Sequence, residues 1–377
     1  MKLFSRTSDR FGYYTVGTQK CYSKFEAIQL HKKTGSHPEW HYHDEVFSSY
    51  DWMQEPVESL TDLYKKRAKQ LREKYDYIVL FYSGGADSTN ILDIFVDNKI
   101  RLDEIATFHQ WDGNKSKSRF GDSEIAQVAL PKLQQIKNFY PAINLRIINQ
   151  TQLMHDYFTV SDNVESWIYE QTAAVMPCSV RTRIPELDPF YKDLILRGKN
   201  ICFLWGVDKP RIFHDNNRFS FRFMDVFDNT VVPGSSVPTE FFYWSADLPE
   251  LMIKQAHVIK RYLENSNINS QFISSNPSHL ANRKIVNQTL WLSNHGVHSL
   301  IYPTWDINTF TVGKTPTSII TPTSQWFADL EESNRALMGW KAAVQSWWIG
   351  LPEYWRNDTN DMFKGIKVCL SKPYYLN

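Results

Sequence analysis

The chain has 377 residues, and its 42 lysines and arginines nearly balance its 41 aspartates and glutamates. A net charge of +1 does not support a general binder of nucleic acid, which needs a strongly basic surface. The hydrophobic content of 42% and the charged content of 22% argue against global disorder and are sufficient for a packed core. Aromatic residues make up 15%, including 13 tryptophans, and we expect most of them in that core.

The cysteines and the apolar segments bear on the cellular compartment. Cys21, Cys178, Cys202 and Cys369 are far apart and form no C-x-x-C pair, which argues against a zinc site or a redox dithiol. Sparse cysteines suit a reducing compartment. The first residues, MKLFSRTSDRFGYY, lack the apolar segment of a signal peptide, and no stretch approaches the roughly 18 apolar residues of a membrane span. These features predict a soluble cytoplasmic protein.

Residues 1–55 are polar and aromatic, and their segment HPEWHYHDE is rich in side chains that can bind metals. On a strand, His41 and His43 would share one face, and Asp44 or Glu45 could join them as ligands. No further ligand stands at the spacing of a known metal motif. We therefore expect a solvated surface loop here rather than a metal site.

After this region the sequence predicts helices that alternate with strands. The predicted helices cover residues 56–74, 88–98, 122–139, 162–176 and 188–197, and the predicted strands cover residues 76–82, 104–110, 145–150 and 201–205. This alternation is typical of a parallel α/β sheet with right-handed crossovers. From about residue 215 the pattern changes. A long amphipathic helix over 245–266 and a loop-rich end predict an α-rich, aromatic-rich C-terminal region.

The first predicted strand of this sheet ends in the turn SGGADS, residues 83–88. Two glycines permit backbone angles that other residues avoid, and their N–H groups can surround an anion. The following helix directs its free N–H groups and the positive end of its dipole to the same place. Ser83, Ser88 and Thr89 add hydroxyl donors. The pattern therefore predicts a phosphate-binding turn, although it matches neither G-x-x-x-x-G-K-[ST] nor G-x-G-x-x-G.

The motif SGGADS, between an apolar strand and a helix, resembles the S-G-G-x-D-S signature of the PP-loop ATP pyrophosphatases. This adenine nucleotide α hydrolase-like family includes asparagine synthetase and the GMP and NAD synthetases. The resemblance covers residues 76 to about 212 and implies a Rossmann-like parallel sheet, of the HUP or PP-loop type, with helices on both faces. It also implies that ATP is cleaved between its α and β phosphates, so that an acceptor oxygen becomes adenylated and pyrophosphate leaves.

The resemblance further implies roles for single residues. The turn would bind the pyrophosphate part of ATP through Ser83, Gly84, Gly85, Asp87, Ser88 and Thr89. Asp87 would also bind Mg²⁺, since a carboxylate beside phosphates is otherwise repelled. The strand at residues 104–110 would run beside the adenine, with the backbone of Ala106, Thr107 or Phe108 at the edge of the base.

A second cluster, from Gly206 to Arg211, follows the fourth predicted strand and would emerge at the same edge of the sheet. Asp208 can serve as a second Mg²⁺ ligand, and Lys209 and Arg211 can contact phosphate. We predict Asp87, Asp208 and Lys209 as the catalytic residues. A surface turn with a solvated charge cluster is the alternative interpretation of this segment.

The predicted function is that of an AMP-forming ligase or transferase of the ATP pyrophosphatase type, which uses ATP and Mg²⁺ to activate a carboxylate or carbonyl of a small-molecule acceptor. The pattern is most similar to the synthetase half of asparagine synthetase. The glutamine-dependent enzyme carries a nucleophilic cysteine at position two of a glutaminase domain, whereas this chain starts with Met1, Lys2 and Leu3. We therefore expect no glutaminase of that kind, and an ammonia or amine donor that is free or supplied by a partner.

Three parts of the chain are expected on this interpretation. Residues 1–75 would form an N-terminal extension with a helix, residues 76–214 the PP-loop domain, and residues 215–377 an accessory region that binds the acceptor. The strand and helix pattern changes near the second boundary, which is the basis for placing it there.

Other functions on the same fold are alternatives. A nucleobase- or tRNA-modifying enzyme is one, but the chain lacks the cysteine clusters of thiolation and deazapurine enzymes, and its charge does not favour tRNA. A PAPS-reductase-like enzyme would need a redox cysteine near the C-terminus, where Cys369 stands without the expected neighbours. A non-catalytic nucleotide-binding protein is the last alternative, and the intact Asp87 and Ser88 argue against it.

Overall fold

The computed structural model describes residues 9–109, 125–149, 188–207, 209–210, 212–215, 218–225, 239–265, 300–304, 346, 348–356 and 367–377. The strands are β1 (Tyr13–Val16), β2 (Gln19–Cys21), β3 (Pro38–His41), β4 (Tyr77–Phe81), β5 (Glu104–His109), β6 (Asn144–Asn149), β7 (Ile201–Trp205), β8 (Ile212–Asp215), β9 (Arg218–Phe221), β10 (Thr239–Phe241) and β11 (Tyr374–Tyr375). The helices are α1 (Lys24–Thr34), α2 (Asp44–Phe47), α3 (Leu60–Lys74), α4 (Ala86–Asp97), α5 (Leu130–Phe139), α6 (Pro189–Leu196) and α7 (Pro249–Asn265). A π-helical turn, Ile125–Ala129, leads into α5.

The central sheet has five strands in the order β10-β7-β4-β5-β6, and every neighbouring pair is parallel. All residues of β7 and the last four of β4 are buried, so both faces of these strands are covered. In the register, Leu80 of β4 lies opposite Leu204 of β7, and Phe81 lies opposite Ala106 of β5. The predicted parallel α/β sheet is confirmed.

The bounds of the elements follow the sequence pattern with small differences. β7 has the predicted bounds. The helix predicted from Pro56 begins only at Leu60, because the hydroxyl of Ser59 accepts a hydrogen bond from the N–H of Asp62 and caps the helix. α4 begins at Ala86, two residues earlier than predicted, directly after the second glycine of the turn.

Helix packing places α3 between α4 and α7. α3 contacts both of these helices and buries Leu63, Ala68 and Leu71 completely. The long helix that the sequence predicts over residues 245–266 is α7, which begins at Pro249. Proline suits this first position because the N–H that it lacks would have no partner within the helix. Among the described helices, none combines the length and the apolar character needed to cross a bilayer.

The N-terminal part has a sheet and a helix that the sequence pattern did not reveal. β1 lies between β2 and β3 in an antiparallel sheet, and α1 follows with a capping box between Ser23 and Glu26. Strands of three or four residues are too short for an alternating pattern to be recognised. The expectation of a surface loop at HPEWHYHDE was wrong, since this segment contains β3 and the start of α2.

The central sheet also recruits a strand from beyond residue 214. β10 pairs with β7 at the edge of the sheet, so a boundary at this position would separate one strand from its own sheet. A third sheet, in the order β11-β9-β8, joins the residues after β7 to the C-terminal strand. The predicted helix at residues 162–176 and most of the predicted C-terminal loops lie outside the described residues.

Candidate functional site

The turn between β4 and α4 has the backbone geometry that its two glycines allow. The N–H of Tyr82 donates to the carbonyl of Ala106 at 2.8 Å, which extends the pairing with β5 by one residue. Gly84 then adopts φ +82°, a left-handed conformation that strains other residues. Gly85 is the N-cap of α4. Because glycine has no side chain, no hydrogen bond from an N-cap side chain occupies the first N–H groups of the helix. The turn therefore presents backbone donors at the positive end of a helix dipole.

The hydroxyl groups of the turn hold its shape. Ser83 and Ser88 are joined through their Oγ atoms at 3.2 Å, and the N–H of Ser83 donates to the Oγ of Ser88 at 3.3 Å. The N–H of Gly85 donates to the Oγ of Ser83, and the Oγ of Ser88 donates to the carbonyl of Gly85, both at 3.2 Å. Thr89 Oγ1 contacts the hydroxyl of Tyr82 at 3.2 Å. These hydroxyls, predicted as ligand donors, thus also have internal partners.

The turn lies at the point in the sheet where the strand order switches from one side of β4 to the other. From β4 the chain runs to β5 and β6 on one side and then to β7 and β10 on the other. The loops after β4 and β7 are therefore neighbours at the carboxyl edge, the position where open α/β sheets bind ligands. A Cβ atom on Gly206 would lie 3.2 Å from both the Cβ of Asp87 and the N of Ser88. The loop after β7 packs so closely on the start of α4 that a side chain at position 206 would require its neighbours to move by a few tenths of an ångström.

An ion pair joins the first turn of α4 to the loop after β7. The Nζ atom of Lys209 lies 2.9 Å from Oδ2 and 3.1 Å from Oδ1 of Asp87. Both side chains are partly exposed, at 30% for Lys209 and 25% for Asp87. The structure thus brings together two of the three predicted catalytic residues, which are 122 positions apart in the sequence.

Two buried tyrosines that the sequence analysis did not single out hold Asp87. The hydroxyl of Tyr302 donates to Oδ1 of Asp87, and the hydroxyl of Tyr243 donates to its backbone carbonyl at 2.8 Å. Asn90 of α4 donates to the Tyr243 hydroxyl at 3.0 Å. Burial raises the pKa of Tyr243 and of Tyr302, so both remain neutral donors. No local motif marks these tyrosines, because they come from distant segments.

The remaining predicted site residues have mixed outcomes. Thr107 is fully buried, and among the described residues its Oγ1 has no hydrogen-bond partner. Its backbone and that of Phe108 belong to β5, opposite Ile147 and Ile148 of β6. Thr107 directly follows Ala106, whose carbonyl accepts the hydrogen bond from the N–H of Tyr82, so Thr107 lies beside the turn. The predicted Asp208 and Arg211 lie outside the described residues.

The histidine-rich segment near the N-terminus forms hydrogen bonds within the protein. Nδ1 of His41 lies 2.8 Å from Oδ2 of Asp44, and Nε2 lies 2.8 Å from Oγ1 of Thr15. In the part of the chain that the structure describes, no group of three or more His, Cys, Asp or Glu side chains is arranged to hold a metal ion. The carboxylate of Asp44 contacts the ring of His41 as a hydrogen-bond partner.

The C-terminal cysteine has the environment of a structural residue. Cys369 is buried, and burial raises the pKa of its thiol. Its N–H donates to Oδ1 of Asp225 at 2.9 Å. A thiol that resists ionisation is a poor nucleophile, so this environment does not favour the redox role that a reductase would require.

The comparisons with known proteins add no family. No protein-family model matches the chain. A search of curated proteins also finds no match.

Proposed function

We propose that the chain binds ATP at the turn between β4 and α4 and forms AMP and pyrophosphate, activating a carboxylate or carbonyl of a small-molecule acceptor. The observation that carries this proposal is the ion pair between Asp87 and Lys209, which lies beside a glycine turn at the carboxyl edge of a parallel sheet. Asp87 lies in the first turn of the helix that follows the central strand, and Lys209 lies in the loop after the neighbouring strand. At such a place a lysine can bind the phosphates of a nucleotide, and a carboxylate can bind the cation that accompanies them.

The strand order supports a nucleotide-binding sheet of the Rossmann-like type. The first strand is central, the second and third lie on one side, and the fourth and fifth lie on the other. Sheets of this order bind nucleotides where the order reverses. The left-handed Gly84 and the glycine N-cap at Gly85 would let backbone N–H groups contact the phosphate oxygens of a bound nucleotide.

The residues of the turn fit a magnesium ion that is bound together with phosphates. Mg²⁺ is commonly held by one or two carboxylates, with the other positions taken by water and phosphate oxygens. The carboxylate of Asp87 already accepts a cation, the ammonium of Lys209, on both of its oxygens. When bound, Mg²⁺ would neutralise charge on the phosphate oxygens. Asp208, outside the described residues, is the second ligand that we propose.

The proposed reaction has two steps. An oxygen of the acceptor attacks the α-phosphorus of ATP, the bond to the β-phosphate oxygen breaks, and pyrophosphate leaves. Ammonia or an amine then attacks the adenylated carbon and releases AMP. Lys209 would stabilise the charge that develops on the leaving pyrophosphate, since a cation placed in advance at the leaving oxygen lowers the barrier. On this proposal the backbone of β5 at Thr107, which directly follows the residue paired with Tyr82, would contact the edge of the adenine.

The nature of the products tests this function. The purified protein is incubated with ATP, Mg²⁺ and a panel of carboxylic acids and nucleobases, and the nucleotide products are identified by mass spectrometry. We expect AMP and pyrophosphate, together with an exchange of labelled pyrophosphate into ATP that depends on the acceptor. Formation of ADP would contradict the proposal. Binding of ATP without turnover would instead favour a non-catalytic nucleotide-binding protein.

A further inference from the structure

The ammonium of Lys209 is placed as a bound cation would be. It lies 2.9 Å from one carboxylate oxygen of Asp87 and 3.1 Å from the other. A cation that a carboxylate binds through both oxygens lies on this same side of the group. Lys209 and a divalent cation therefore compete for the same face of Asp87.

Resting on the proposed function, we propose that Lys209 occupies the cation position at Asp87 until a nucleotide binds. The phosphates of the nucleotide then attract Lys209, and the divalent cation takes its place at the carboxylate of Asp87. Metal and nucleotide bind in a coupled manner, and the metal binds weakly alone. This coupling would regulate the site, because the proposed reaction does not require nucleotide and metal to bind in this order.

The ion pair can open because it is only partly shielded from water. Side-chain exposures of 30% and 25% let solvent and salt weaken the attraction between the two charges. The ammonium is a compact charge on a flexible stem of four carbons, so it can turn to a new partner without a change of the backbone. A triphosphate carries several negative charges against the single charge of Asp87, and it therefore attracts the ammonium more strongly.

Asp87 keeps its place when Lys209 leaves. The hydroxyl of Tyr302 holds Oδ1, and the hydroxyl of Tyr243 holds the backbone carbonyl of the same residue. Both tyrosines are fully buried or nearly so, which fixes their orientation. The carboxylate is thus oriented by groups that do not depend on Lys209, and Tyr302 is a positioning residue for the cation.

The affinity for Mn²⁺, measured by electron paramagnetic resonance, tests the competition. The nucleotide probe is α,β-methylene-ATP, which cannot be cleaved between its α and β phosphates, and its binding is measured by calorimetry. In the wild type we expect weak Mn²⁺ binding that strengthens with the analogue. Lys209→Met should raise the affinity for Mn²⁺ alone by about five-fold, the value of a partly exposed ion pair. The same variant should weaken binding of the analogue by about ten-fold or more, because a charge-assisted contact is lost.

Two further variants separate the effect of this charge from a general effect of substitution. Lys209→Arg keeps the positive charge and should keep Mn²⁺ binding weak in the absence of the analogue. Lys199→Met removes an exposed lysine that lies between α6 and β7 and should change neither affinity. Thermal unfolding checks that each variant is folded.

The outcomes distinguish the two proposals. If the wild type binds the analogue but Lys209→Met does not raise the affinity for Mn²⁺ alone, the competition is refuted and the proposed function stands. If the wild type binds no analogue with or without Mn²⁺, the proposed function and this inference both fail.

Discussion

Lys24 of α1 and Asp225, four residues after β9, form an ion pair of 2.6 Å in which both side chains are fully buried. The hydroxyl of Tyr14 in β1 donates to the same carboxylate at 2.8 Å, and the N–H of Cys369 donates to its other oxygen at 2.9 Å. Through these contacts Asp225 connects β1 and α1 with the segment that contains Cys369. Burial of both charges is costly, so each charge depends on the other.

Removing the cation of this pair should destabilise the fold in a pH-dependent way. Lys24→Met leaves Asp225 buried without its ammonium, and we expect a loss of about 3 kcal/mol at pH 7. At pH 5 the loss should be about 1 kcal/mol smaller, because Asp225 can bind a proton and become neutral. Urea unfolding at the two pH values measures both losses. A loss of the same size at both would contradict a charge-based role.

In the wild type, titration of the Asp225 carboxyl should make the free energy of unfolding depend on pH between 3.8 and about 6. Burial raises its pKa from 3.8 to about 6, although Lys24, Tyr14 and Cys369 favour the ionised form. Between pH 3.8 and about 6 the folded state therefore holds a proton that the unfolded state has lost, so the stability contributed by this group falls as the pH rises. A pKa difference of this size corresponds to about 3 kcal/mol.

The variant Asp225→Asn isolates this titration, because asparagine cannot ionise. The free energy of unfolding of the wild type minus that of the variant should decrease from pH 4 to pH 6 in urea experiments. A constant difference across this range would show that Asp225 does not titrate there.

The sequence predicts those parts of the fold that have a strong local signal. β7 is a run of apolar residues that are all buried, and its bounds were predicted without error. β1 to β3 have three or four residues each, and their faces alternate over too short a length to be recognised. β10 has only three residues, and its membership in the central sheet depends on pairing with a distant strand. Such pairing is decided by tertiary packing, which a local pattern does not contain.

The candidate site likewise contains some features that could be predicted from the sequence and others that could not. The glycine turn was predicted, because two adjacent glycines between an apolar strand and a helix favour backbone angles that other residues rarely adopt. The closeness of Lys209 to Asp87 follows from both residues standing after parallel strands. Tyr243 and Tyr302 could not be predicted, because no spacing relates them to the turn. Their contacts depend on how the chain beyond β7 returns to the sheet.

Glu240 of β10 should contribute stability that is lost in acid. Burial opposes its ionisation, but Arg67, Tyr75 and Lys74 outweigh burial and lower the pKa from 4.5 to about 2. Arg67 and Lys74 each lie 2.9 Å from its carboxylate. A lowered pKa means that the contribution is complete above pH 4.5 and disappears as the pH falls towards 2.

Glu240→Gln should therefore cost about 3 kcal/mol at pH 7, the energy that corresponds to this pKa difference. The cost should shrink steadily below pH 4 in urea unfolding. Glu39→Gln, which changes an exposed glutamate of β3, is the matched control and should cost less than about 0.5 kcal/mol. An equal cost for the two variants would refute a special role of Glu240.

Gly206→Ala should disturb the candidate site by crowding. The new Cβ would lie 3.2 Å from the Cβ of Asp87 and from the N of Ser88, so the start of α4 must move by a few tenths of an ångström. We expect a loss of stability of about 1–3 kcal/mol and weaker binding of ATP by about ten-fold. Gly198→Ala is a useful contrast: its φ of +73° strains alanine, but no atom lies within 4 Å. It should lower stability without a change in ATP binding, as calorimetry can determine.

Asp87→Asn should remove activity while the fold stays intact. The variant keeps the size of the side chain but loses the charge that binds Lys209 and, on our proposal, Mg²⁺. We expect release of AMP to fall by at least about a hundred-fold, as for the loss of a group that stabilises charge in a transition state. Stability should change by less than about 1 kcal/mol, because the ion pair is partly exposed. Asp97→Asn, at the other end of α4, controls for loss of an aspartate from the same helix. Undiminished AMP release by Asp87→Asn would remove this residue from the site, since no neutral amide can hold the lysine and the metal by charge.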